Sequence, residues 1–99
     1  MVSYTKSMDK NMERSEPKPN EIWKHFKGNL YKIIAVGHHS ETKDKLVVYF
    51  DLSSKNSTVD DPCIRPLDMF MSEVDRDKYP DVKQKYRFEL AQTVLNFQK

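Results

Sequence analysis

Ninety-nine residues give room for one modest hydrophobic core and argue against a second domain. Seventeen Lys and Arg against fifteen Asp and Glu leave a formal charge of +2, too weak a global field to argue for nucleic acid, so any such case must rest on a local patch. No apolar run approaches the roughly eighteen residues of a membrane span, the first residues are too charged for a signal peptide, and the single Cys63 allows no internal disulfide; a cytoplasmic protein is expected.

Residues 1–20 carry scattered charges, Pro17 and Pro19, and only a weak helical stripe of Tyr4, Met8 and Met12, the composition of a mobile N-terminal arm. A single domain is expected over 21–99. At Glu21 the composition changes: Ile22, Trp23 and Phe26 favour a strand, and Lys27, Gly28 and Asn29 then supply a tight turn in which Gly28 can take a positive φ. Residues 30–38 are β-branched and aromatic, 39–44 polar and 45–52 apolar again, which predicts two strands joined as a hairpin. In the second of these, Leu46, Val48, Phe50 and Leu52 alternate with Lys45, Val47, Tyr49 and Asp51, so the even-numbered side chains are expected inside. The first is apolar on both parities, as where a small sheet curls on itself.

Residues 53–61 read as a loop in which only Val59 is large enough to bury. Cys63, Ile64 and Arg65 make a short strand stopped by Pro66, which lacks a backbone donor and suits a sheet edge. Leu67, Phe70 and Val74 follow as apolar anchors. The last quarter is ambiguous, because Val82, Tyr86, Leu90 and Val94 sit at helical spacing while Tyr86, Phe88 and Leu90 alternate as in a strand. The preferred reading is a helical turn over 75–80, a strand over 86–90 and a short helix over 91–97. The expected fold is therefore mainly β: a small barrel of about five short strands with a short C-terminal helix.

Three histidines invite a metal or catalytic reading. His38 and His39, however, are strand neighbours that point to opposite faces, so no metal site is expected, and His39 is expected to open the turn by bonding backbone near Ser40 and Thr42. Cys63 has no visible oxyanion donor to accompany a histidine base, and Glu41, Asp60 and Asp61 carry no burial signal that would raise a carboxyl pKa. Gly28 and Gly37 belong to no phosphate-cradling pattern, and no cofactor is expected. A binding surface is better supported. Trp23, His25, Phe26 and Tyr31 are interleaved with Lys24, Lys27 and Lys32, and aromatic faces grip prolines or bases while lysines offset phosphate charge. Phe26 weighs toward the core, whereas Trp23 and His25 are balanced between core and ligand. Arg65 either holds a structural carboxylate, Glu41 or Asp68, or recognises an anionic ligand.

The run Trp23-Lys24-His25-Phe26-Lys27-Gly28-Asn29-Leu30-Tyr31, then His39-Ser40-Glu41-Thr42, Val48-Tyr49 and Arg65-Pro66 to Phe70, resembles in order and spacing a family of small bacterial proteins known as domain of unknown function 1653. The likeness covers roughly residues 22–74, with a similar tail from Tyr79-Pro80-Asp81 to Arg87-Phe88-Glu89. It implies an SH3-like β-barrel and brings no activity, cofactor or partner with it. Family members usually carry an aromatic where this chain has Cys63, which would alter a binding face built on that aromatic.

These readings point to a non-enzymatic binding module with no catalytic residues, recognising a peptide-like or anionic partner through Trp23, His25, Lys27, Tyr31, His39, Glu41, Tyr49 and Arg65. The alternatives are a single-stranded nucleic-acid-binding protein using the same patch and a small enzyme in which His25, His39, Glu41 and Arg65 converge.

Overall fold

The β-branched and aromatic runs pair into one antiparallel sheet. A computed structural model describes residues 14–53 and 57–92, with strands β1 (Ile22–His25), β2 (Leu30–His38), β3 (Lys45–Asp51), β4 (Cys63–Pro66) and β5 (Phe88–Gln92), and one helical turn, α1 (Leu67–Phe70). The strand order is β4-β3-β2-β1-β5. Local chemistry sets the two hairpins. Gly28, at φ +106°, lets the first one close, with His25 N–H donating to Asn29 O at 2.9 Å and Gly28 N–H to His25 O at 2.8 Å. In the second, His39 N–H donates to Asp44 O at 2.8 Å and Lys43 N–H to His39 O at 2.9 Å, which holds Lys43 at φ 69°. Pro66 ends the edge strand β4, as its missing donor requires, and the chain turns at once into α1.

The inward face of β3 is the odd-numbered one, contrary to the alternation read from the sequence: Val47, Tyr49 and Asp51 are buried, while Leu46, Val48 and Phe50 are half-buried and Leu52 is exposed. Both parities of this strand are apolar, so periodicity alone did not fix its register. Pairing did, with Tyr49 opposite Ile33 and Cys63. The core is largely aromatic. Phe70 and Phe88 stack at 4.0 Å with ring planes 5° apart, and Trp23 and Tyr49 meet Phe70 edge-on at 5.5 and 5.3 Å. Ile33 and Val47 complete it. Buried polar groups are answered locally: Glu21 Oε1 accepts from Trp23 Nε1 at 3.0 Å and Lys18 N–H at 2.9 Å, and Asp51 accepts from Asn29 and Ser53.

The helical turn expected over 75–80 is present, with Lys78 and Tyr79 N–H groups donating to Asp75 O at 3.2 and 2.9 Å. The expected C-terminal helix is not found where it can be checked, since Ala91 and Gln92 continue β5; residues 93–97 lie outside those described. The helix that forms, α1, follows Pro66 instead, because proline stops the ladder there and its fixed φ suits the residue preceding a helix. Of the expected arm, the stripe of Tyr4, Met8 and Met12 lies outside the described residues. Residues 14–20 are attached to the sheet: Pro17 is buried, and Asn20 N–H donates to Ile33 O at 2.8 Å. Among the described residues no helix is long and apolar enough to cross a membrane.

Candidate anion-binding site

Four separate pieces of chain bring charge together. β1 finishes at His25 and passes into Phe26 and Lys27; β4 contributes Arg65; the 75–80 turn contributes Asp75, Lys78 and Tyr79; and Arg87 precedes β5. Together they line a cleft of about 270 Å³. Lys27, Arg65, Lys78 and Arg87 face the single carboxylate of Asp75 there, so positive charge is in excess.

Both arginines are held by neutral groups. Arg65 Nε donates to the buried Tyr49 hydroxyl at 3.0 Å. Arg87 Nε donates to Ser72 Oγ at 3.2 Å, and that hydroxyl is itself oriented by donating to Met69 O at 2.7 Å. Arg87 is fixed through its backbone as well, its N–H donating to Ser72 O at 2.8 Å and its carbonyl accepting from Phe26 N–H at 3.0 Å. Among the described residues, the ion pairs are Lys45–Glu16 and Lys85–Glu73, neither of which involves these arginines. A hydroxyl at Nε aims a guanidinium without cancelling its charge and leaves the paired terminal nitrogens for a ligand.

His25 is the neutral member. Its Nδ1 accepts from Lys27 N–H at 3.1 Å, so in the uncharged ring the proton sits on Nε2. Burial, then the positive charges of Lys27, Arg87 and Arg65, lower its pKa to about 4. At neutral pH it is therefore a one-proton donor and not another cation. Its ring packs on Phe26 at 4.4 Å and edge-on to Phe88 at 4.9 Å, which ties the cleft to the core. Phe26 meets Tyr79 at 4.9 Å, and Lys27 Nζ lies 5.9 and 5.4 Å from those two rings. The loop carrying Lys78 and Tyr79 is braced from behind: the Arg76 guanidinium donates to Val82 O and Gln84 O, and Gln84 Nε2 donates to Lys24 O at 3.0 Å and Tyr86 O at 2.9 Å.

Of the residues expected on the binding face, His25, Lys27 and Arg65 meet in this cleft. Tyr31 stands behind it, half-buried, 6.1 Å from His25 and 5.3 Å from Tyr49. Trp23 and Tyr49 are core residues, 2% and 3% exposed, so Trp23, balanced between core and ligand in the sequence, belongs to the core, and Phe26, weighed toward the core, is half-buried at the cleft. The outcome follows from strand parity, which buries Trp23 and carries Phe26 into the turn. Neither His39 nor Glu41 lines the cleft; both are exposed on the β2–β3 hairpin, where His39 Nδ1 accepts from Glu41 and Thr42 N–H at 3.1 and 3.2 Å, the turn-opening role expected of it. Arg65 pairs with neither Glu41 nor Asp68 among the described contacts, and Tyr49 takes that structural place. Cys63 is half-buried, its Sγ 3.3 Å from Ser57 Oγ. Sequence reasoning did not assign Lys78, Tyr79 or Asp75 to the site, and it set Arg87, with Lys83 and Lys85, only as a group that could share a face with Lys24, Lys27 and Lys32. The usable signal was an arginine beside a core aromatic at Arg87-Phe88, entering the sheet at its second edge. No group of three or more His, Cys, Asp and Glu comes together among the described residues.

A family model described as a protein of unknown function, DUF1653, matches residues 21–90, which include every residue lining the cleft. The chain belongs to the DUF1653 family. A crystal structure of a DUF1653 protein from Bordetella bronchiseptica is similar to it, with a TM-score of 0.62 and 22% sequence identity over 81% of this chain and 94% of that one. At that identity the likeness speaks for the fold. No curated protein matches the chain significantly.

Proposed function

We propose that this DUF1653 protein is a non-enzymatic binding module that receives an anionic group of a peptide-like partner in the cleft formed by His25, Arg65 and Arg87. One observation carries the reading: two guanidiniums anchored at Nε by hydroxyls face a cleft that Lys27 and Lys78 also line. A half-buried arginine serving structure alone is ordinarily answered by a carboxylate, whereas these keep their charge and their terminal donors for an incoming group. A carboxylate or phosphate would meet bidentate donors from β4 and from the residue ahead of β5, with the His25 Nε2–H as a third, neutral contact. Phe26 and Tyr79, both half-buried, supply the apolar area beside it.

A second reading, single-stranded nucleic-acid binding, is favoured by those same rings standing next to Lys27 and Lys78. The strand order around one core supports an SH3-like description, and the lone thiol supports a reducing compartment such as the cytoplasm. The deciding experiment is a pull-down from native cell extract, with and without nuclease, using wild type, Arg65→Ala and Arg87→Ala. A protein captured after nuclease treatment and lost with either variant is the expected result. Capture abolished by nuclease transfers the assignment to nucleic acid, and capture unaffected by both variants removes the cleft from the interface.

A further inference from the structure

A second cavity, of about 340 Å³, lies where the chain ahead of β1 runs past β5; Arg14, Trp23, Tyr86 and Glu89 are among its walls. Arg14 Nη1 donates to Met71 O at 2.9 Å and Nη2 to Phe88 O at 2.7 Å. Its guanidinium carbon sits 3.6 Å from the centroid of the Tyr86 ring and 5.9 Å from that of Trp23. Burial acts against the charge of this group, and Glu89 and Tyr86 act in its favour.

The contacts suit a guanidinium and not an ammonium. A planar fork can lie over a ring and offer one terminal nitrogen to each of two carbonyls, whereas a lysine has one nitrogen, strongly hydrated, and no plane to stack. The acceptors are also independent of the arm that supplies Arg14. Met71 closes α1 and Phe88 opens β5, so both carbonyl acceptors belong to elements of the folded domain. Arg14 itself lies ahead of the family match at residues 21–90.

We propose that the place the Arg14 guanidinium takes between Met71 O, Phe88 O and the Tyr86 ring, at the wall of this cavity, is an arginine-recognition site, filled in cis by Arg14, that takes the arginine side chain of a peptide when Arg14 is withdrawn. A tethered ligand competes at an effective concentration on the order of millimolar, so the intact arm holds weak peptides off.

The test is the full-length Arg14→Ala variant titrated with an acetylated Gly-Arg-Gly amide, followed by the emission of Trp23, the single tryptophan. The variant is expected to give a saturable change with an affinity at least about tenfold tighter than wild type. The Gly-Lys-Gly peptide is expected to bind the variant at least about tenfold more weakly than the arginine peptide. Should circular dichroism find Arg14→Ala unfolded, the arginine peptide is expected to restore the folded spectrum and the lysine peptide to leave it unchanged. Absence of any saturable response or rescue, or equal responses to arginine and lysine, overturns the assignment.

Discussion

His25 links the chemistry of the cleft to the stability of the fold. Its pKa is about 4 in the folded protein against 6.5 ordinarily, because burial and three neighbouring cations disfavour the imidazolium. The unfolded chain thus binds the proton first as pH falls, so this residue's contribution to stability is complete above the unfolded value and is lost between pH 6.5 and about 4. Chemical denaturation across that window is expected to show stability rising with pH, and His25→Gln is expected to flatten this part of the slope; an unchanged slope would remove His25 as its source. In an NMR titration its imidazole resonances are expected to remain those of the neutral ring at pH 5.5. A bound anion would favour the imidazolium, so saturating the cleft is expected to move that titration upward.

Strand register and turn chemistry decide which side chains reach the cleft. Lys43 occupies a left-handed position, φ 69°, that glycine adopts without steric penalty. Lys43→Gly is expected to stabilise the β2–β3 hairpin by about 0.5 kcal/mol after the added freedom of the unfolded chain is deducted, read as a higher denaturation midpoint. Phe70→Ala removes the ring on which Phe88 stacks and against which Trp23 and Tyr49 lean. A loss of roughly 3–5 kcal/mol is expected, a large part of the total for so small a domain, so the variant should be marginal by calorimetry. Much at this scale was legible in the sequence: the turn at Gly28, the hairpin over 39–44, the edge at Pro66 and the strand at Phe88 all have local chemical causes. The inward face of β3 was not, because Val47 and Tyr49 are as burial-prone as Val48 and Phe50, and only pairing with β2 and β4 distinguishes them.

At the scale of the whole molecule, the site joins residues about forty and sixty positions apart, which no spacing rule brings together. His25, Lys27 and Arg65 were readable as charged or aromatic residues at strand ends, but Arg87 joins them only because β5 pairs with β1 on the far side of the sheet from β4. Conversely, His39 and Glu41 carry the right chemistry in the wrong place, at the tip of a hairpin that does not fold over the cleft. Tyr49 and Ser72 aim the two guanidiniums of the cationic cleft. Titration of the isotope-labelled protein with inorganic phosphate tests this most directly. Saturable shifts confined to His25, Lys27, Arg65, Lys78, Arg87 and their neighbours, weakened at least about tenfold in a folded Arg65→Ala variant, are predicted from the loss of a bidentate charged contact. Shifts scattered over other faces, or phosphate affinity unchanged in that variant, would contradict it.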